Sequence, residues 1–337
     1  MPNFRTGTVN KILTERAGLQ RVEVDGEPSY ALTGLVGAVA VGDRVVINTT
    51  AVDLGLGTGG WHVVHWNLAR ESLQVEGGGH VMKLRYTSLQ ADTGVAEETG
   101  EVPDDLGGTP VVALALHSQL ATAAAAVKLT DASLRVVYVM TDAGALPLAL
   151  SDLVADLKDA GFLDATVTAG HSFGGDLEAV NVRSALAIAR HRLGADVILV
   201  GMGPGSVGTA TAMGYSGLEV GAVLDAVNDA GGAAIVALRV SDADPRERHR
   251  GLSQHSINAL NTATHVDVTV PVPTSGPSMP PLGRHTSVVP VTTPDAVGAL
   301  AAKGIHPTTM GRSAADDPQI FAFATAAGVY AAHVAAH

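Results

Sequence analysis

Asp196-Val-Ile-Leu-Val-Gly-Met-Gly-Pro-Gly-Ser-Val-Gly-Thr-Ala-Thr-Ala-Met-Gly-Tyr-Ser-Gly217 is the stretch on which the fold turns. Its first residues, Val197 to Val200, are a short β-branched run with no polar member, as expected of a strand buried on both faces. The run breaks into Gly201, Gly203, Gly205 and Gly208, so the chain must bend sharply or approach another group closely. A strand that ends in a glycine loop is where open α/β sheets place their ligands.

Similar runs recur on both sides. Val111–Leu116, Leu134–Met140, Ala165–Ala169, Ala233–Val240 and Val266–Val270 are candidate strands. Helical patterns lie between them at Leu120–Leu129, Leu148–Ala160, Asp176–Leu193, Leu218–Ala230 and Ser253–Ala263. This alternation predicts βαβ units feeding a doubly wound, mostly parallel, Rossmann-like sheet over residues 109–337. Thr274 to Pro290 reads as a proline-rich connection. Two helices close the chain, Pro294–Lys303 and Pro318–Ala335; in an assembly protein the second would lie at a subunit contact of a homo-oligomer.

Residues 1–90 have a different texture. Short alternating runs at Thr8–Leu13, Leu19–Val24, Tyr30–Thr33, Arg44–Asn48, Trp61–Leu68 and Gly79–Tyr86, with an Asp25-Gly26 turn, predict a small β-barrel-like domain of about six strands. Residues 91–108 carry Asp92, Glu97, Glu98, Glu101, Asp104 and Asp105 with no basic residue, and read as an acidic linker.

Bulk composition narrows the function. The 337 residues carry a net charge of -12, which argues against duplex nucleic acid as a partner, and nucleic acid is not expected to be one. There is no cysteine, so disulfides, thiolate metal sites and a cysteine nucleophile are excluded. The N-terminus lacks a signal-peptide core, and the alanine-rich stretch from Gln319 reads as a packed helix, so a cytoplasmic protein without a membrane partner is expected.

In a parallel sheet the residues after every strand meet on one edge. They include His117, Asp142, His171 to Asp176, the glycine loop, and Ser241 to Gly251. The exposed amides of Gly203, Gly205 and Gly208, with Thr209, suit an anion, and Arg246, Arg248 and Arg250 supply charge across the edge. The loop is neither a Walker loop nor the dinucleotide fingerprint. The first expectation is therefore an enzyme or binder for an anionic small molecule, with His171, Asp176 and His249 as acid/base or metal candidates. His171, Asp176, Glu178 and Asn181 with His117 or His249 carry the donor types of a divalent metal site; no particular cofactor is indicated.

Gly170-His-Ser172-Phe-Gly174 also fits the nucleophile elbow of the α/β-hydrolases. A serine hydrolase would use Ser172 as nucleophile, Asp242 or Asp244 as acid and a distal histidine such as His255 as base. A non-catalytic regulatory or assembly protein is the third reading.

Several motifs occur together: Gly42-Asp-Arg-Val-Val-Ile-Asn-Thr-Thr-Ala51, Leu54-Gly-Leu-Gly-Thr-Gly-Gly60, Gly79-His-Val-Met-Lys-Leu-Arg-Tyr86, Gly170-His171 with Phe173-Gly-Gly-Asp176, Gly203-Pro-Gly205 with Gly208-Thr209, and Arg248-His-Arg-Gly251. In combination they resemble an uncharacterised bacterial family, largely Gram-positive and actinobacterial, known only as a domain of unknown function. The resemblance covers nearly the whole chain. It implies no activity, substrate or catalytic residue.

Overall fold

Inward valines and outward polar residues alternate along the N-terminal strands, as a half-buried sheet requires. The computed structural model describes residues 1–56, 59–75 and 77–337. Gly57 and Thr58 of the glycine-rich run therefore lie outside the described residues. The chain divides into two units, Met1–Gly94 and Val95–His337.

In the first unit β1 (Phe4–Arg16), β2 (Leu19–Val24), β3 (Glu27–Ala31), β4 (Arg44–Asn48) and β5 (His62–Asn67) close into a barrel of order β1-β2-β3-β5-β4. Val9, Val22, Val24, Val45, Ile47 and Val64 fill it. Register shifts along β1 bend that long strand so that it pairs with both β2 and β4. The Asp25-Gly26 turn has φ of 49° and 85°, the left-handed pair a tight hairpin needs. The expected sixth strand, Gly79–Tyr86, contributes only Met82–Lys83, paired with Ala91–Asp92 outside the barrel.

Among the described residues, the second unit holds eight parallel strands: β6 (Pro110–Leu114), β7 (Val136–Thr141), β8 (Ala165–Ala169), β9 (Leu177–Ala179), β10 (Val197–Met202), β11 (Ala233–Ala237), β12 (Val268–Pro273) and β13 (Thr286–Val291). Their order is β9-β8-β7-β10-β6-β11-β12-β13. Helices α1 (Leu120–Thr130), α2 (Asp152–Asp159), α6 (Ala296–Ala301) and α7 (Pro318–Ala335) pack on one face. Helices α3 (Val182–His191) and α4 (Glu219–Asp229) pack on the other, joined by Ala259 and Leu260 just after α5 (Gln254–Asn258). Successive residues of β6 serve opposite faces, Val111 and Ala113 one, Val112 and Leu114 the other. This is why the strands read as unbroken apolar runs.

The structure departs from the sequence expectation in four places. The helix expected from Asp176 starts at Val182, because residues 177–179 pair with β8 and Asn181 caps the helix by accepting from Ser184 N at 3.1 Å. The end of the proline-rich connection is strand β13, where an edge position tolerates Pro290. The acidic segment is fastened to the second unit: Leu106 is fully buried, and its amide donates to Ala230 O at 2.7 Å. Helix α7 is buried within its own chain, and a β-carbon on Gly328 would overlap the Ala123 carbonyl oxygen of α1. Its apolar surface is thus already covered without a subunit contact. Among the described residues no helix is long and apolar enough to cross a membrane.

Candidate functional site

Strand β6 leads to α1 on one face of the sheet, while its neighbours β10 and β11 lead to α4 and α5 on the other. Connections that diverge in this way leave a crevice at the strand ends. A cavity of about 110 Å³ lies there. Leu116, Val220, Val236, Ala259 and Leu260 form its apolar lining.

Three guanidinium groups line the same cavity, those of Arg239, Arg246 and Arg248. Arg239 stands two residues beyond the end of β11 and is only 2% exposed. Its Nη2 donates to Asp244 at 2.9 Å, while its buried Nε has no hydrogen-bond partner. Arg246 grips the same carboxylate with Nε and Nη2, both at 2.9 Å. Arg312 stands 3.6 Å from Asp244 and donates to Asp317 at 3.0 Å. Asp317 also accepts from Ser241 at 2.6 Å, tying α7 to the strand edge. Burial alone would raise the Asp244 carboxyl, but the hydrogen bonds and charge of Arg246, with the charge of Arg239, hold it well below the usual carboxylate range. Three guanidiniums thus face two buried carboxylates, an excess of positive charge in a low-dielectric place.

A hairpin of Thr308–Thr309 and Arg312–Ser313 covers this network. At its tip Met310, with φ of 48°, brings its sulfur 3.8 Å from Arg239 Nη2 and 2.9 Å from Arg246 Nη2. The segment from Gly304 to Arg312 thus folds back over the strand ends.

Arg248 is held differently. Its Nε donates to His249 Nε2 at 3.1 Å, and its terminal nitrogens have no protein partner among the described residues. Since Nε2 accepts, the His249 proton sits on Nδ1, 2.7 Å from Ser253 Oγ. Burial, then Arg239, push His249 down to about 3, so it is neutral at pH 7. With both nitrogens committed, His249 braces Arg248 and does not itself line the cavity. His255 does line it, stacked on Tyr215 with ring centres 3.6 Å apart and set edge-on to His249 at 4.4 Å. Burial and the neighbouring arginines lower His255 to about 4.

Tyr215 closes the glycine loop onto this wall, its hydroxyl donating to His255 O at 2.8 Å. Residues 207–216 form a small hairpin: Thr209 N donates to Gly214 O at 2.7 Å and Ser216 N to Val207 O at 2.8 Å. The expected ligand residues separate accordingly. Gly208 lines the cavity with Ser206. Gly203 is buried where a β-carbon would overlap Ala145 O, so it serves packing. Gly205 is exposed with φ of 83°, and the Thr209 hydroxyl is engaged with Thr211 at 2.8 Å. Arg250 is exposed and does not line the cavity.

The catalytic candidates are not brought together. His171 follows β8, four strands from β11, on the order of 19 Å at ~4.8 Å per strand. Its backbone amide donates to Asp142 at 2.9 Å. Asp176 lies beside Thr166 at the start of β8, on the opposite edge of the sheet, and binds Lys158 at 2.7 Å. Ser172 is fully buried and donates to the Thr141 carbonyl at 2.7 Å. Asp242 is exposed, with its amide 3.3 Å from Asp317, so Ser172, Asp242 and His255 form no triad. Among the described residues no three His, Cys, Asp or Glu side chains converge to hold a metal.

Sequence reasoning missed Arg239, Tyr215, Ser256 and Glu219. The signal for Arg239 was there: one arginine inside the apolar run Ala233 to Val240. Glu219 accepts from Thr141 Oγ1 at 2.7 Å, and burial raises it to about 7. His117 was expected at the edge. It accepts or donates between Tyr138, Met202 O and Ser151, and burial lowers it to about 4.

The model of a family described as a protein of unknown function (DUF3866) matches residues 29–328. No curated protein matches the chain.

Proposed function

The chain belongs to the DUF3866 family of unknown function, and from that premise we propose that it binds a small organic anion in the cavity at the ends of β6, β10 and β11. The observation that carries this reading is Arg239: a buried guanidinium whose Nε lacks a partner, in the wall of a cavity that Arg248 also enters with uncommitted nitrogens. Leaving a buried donor unmade is costly, and an anion in the cavity removes that cost. Planar guanidinium forks suit a carboxylate or phosphate, and the apolar lining suits a short carbon body. At about 110 Å³ the cavity fits a ligand of a few heavy atoms, well short of a dinucleotide.

A neutral His255 against the ligand space is available as a proton acceptor, which is what supports an enzyme over a simple binder. Absence of cysteine supports the cytoplasm as its compartment.

Thermal shift and calorimetry with inorganic phosphate and with isovalerate test the proposal. At least one is expected to stabilise the wild type, with binding lost in Arg248→Ala and kept in Arg250→Ala. If both variants bind as the wild type does, or none of the three binds either probe, the cavity is not an anion site.

A further inference from the structure

The barrel carries its own cluster of chemistry-bearing side chains, apart from the arginine cavity. Its strand order β1-β2-β3-β5-β4, with β3 parallel to β5 and β1 closing on β4, is that of a five-stranded oligomer-binding barrel. Topology alone assigns no ligand, so the residues must.

On the outer face Arg21 of β2 sits opposite Tyr30 of β3. Trp61, at the end of the β4–β5 connection, stacks on Tyr30 with ring centres 6.3 Å apart and planes within 28°. The Arg21 guanidinium lies 5.6 Å from the centre of the Trp61 ring. All three are half-buried, so each keeps an accessible part. Next to them a surface hollow of about 240 Å³ is lined by Arg16, Arg21, Thr14 and Glu15, where β1 turns into β2.

Residues 1–94 hold eight Lys and Arg against nine Asp and Glu, so the barrel carries only -1 of the chain's -12. The acids of the β2–β3 hairpin, Asp25 and Glu27, lie at its far end, where Arg5 engages both. At the aromatic end Arg16 and Arg21 stand with Glu15 around the hollow. The net charge that argues against duplex binding therefore belongs almost wholly to the other unit.

We propose that this face of β2 and β3 binds single-stranded nucleic acid, with bases stacking at Trp61 and Tyr30 and phosphates at Arg16 and Arg21. Stacking is tolerant of sequence, and two arginines suffice for a weak, salt-sensitive site.

Fluorescence anisotropy of the full chain with labelled oligothymidylate and oligouridylate, ~15 nucleotides long, tests it, with a duplex of equal length as comparison. Either single strand is expected to bind more tightly than duplex, and the two arms tell DNA from RNA. The affinity should fall with salt at a log–log slope of about -1.4, for two phosphates. Trp61→Ala is expected to weaken binding about tenfold or more, while Trp61→Phe retains most of it. Arg248→Ala should leave it unchanged, which separates this site from the anion cavity. Equal binding by Trp61→Ala with an unaltered circular dichroism spectrum, equal binding of duplex, or no binding of either single strand overturns the proposal. So does quenching of Trp61 fluorescence by a neutral oligosaccharide without any binding of nucleic acid.

Discussion

Arg239 and Arg248 share a cavity but not a role. Arg239 is locked to Asp244 in a buried pair, and such pairs are costly to break singly because the surviving charge loses its partner. Arg248 is exposed and, among the described residues, braced only by His249, which makes it the residue to remove when binding is to be separated from folding. Glu219 is the other informative single residue. Burial raises it to about 7, so its proton is held more tightly folded than unfolded. Stability on its account is complete below the ordinary carboxylate pKa and is lost as pH rises through 7. Glu219→Gln keeps an acceptor for Thr141 and cannot ionise. It is expected to match the wild type near pH 4.5 and to be more stable at pH 8, by up to about 3 kcal/mol in urea unfolding. Identical midpoints at pH 8 would mean that the carboxylate is solvated.

At the scale of elements, the contact of α1 with α7 depends on Gly328. A β-carbon there meets the Ala123 carbonyl oxygen and Ala126, so one helix must shift. Gly328→Ala is expected to destabilise by about 1–3 kcal/mol, against the roughly 1 kcal/mol that the substitution gains in an open helix. A raised urea midpoint would show that α7 lies loosely on α1. The strand–loop–helix pattern behind these elements was legible because buried parallel strands demand unbroken apolar runs, and Asp25-Gly26 announced its hairpin. Strands β9 and β13 were not legible. Each lies at an edge of the sheet, where half-exposed residues such as Glu178 or Pro290 give no strand period. The glycine loop was legible as a bend at a strand end, but not which of its glycines lines a cavity: Gly208 does, and nothing local distinguishes it from Gly203, which is spent on packing against Ala145.

For the whole molecule, three imidazoles are held neutral in the fold. Burial first, and arginine charge for two of them, lower His117 and His255 to about 4 and His249 to about 3. Their unfolded values lie near 6.5. Stability is therefore full above pH 6.5 and is lost as pH falls towards 4, with protons taken up on unfolding. Glu219 acts in the opposite direction over part of this window, so the measurement belongs in the Glu219→Gln background. There, the urea midpoint is expected to drop between pH 7 and pH 5; a flat profile would show that these histidines are already charged when folded.

Composition and period fixed what depends on near neighbours: two textures of chain, and a parallel α/β sheet after a β-barrel. Side-chain convergence was beyond their reach, because it depends on strand order. Inserting β10 between β7 and β6 puts the glycine loop beside the arginines and leaves His171 four strands away. The return of the chain before β9 carries Asp176 to the opposite edge. Only the packed sheet decides which polar residues share one low-dielectric space, and it chose Arg239, hidden in an apolar strand run, over the histidines and serine of the loops.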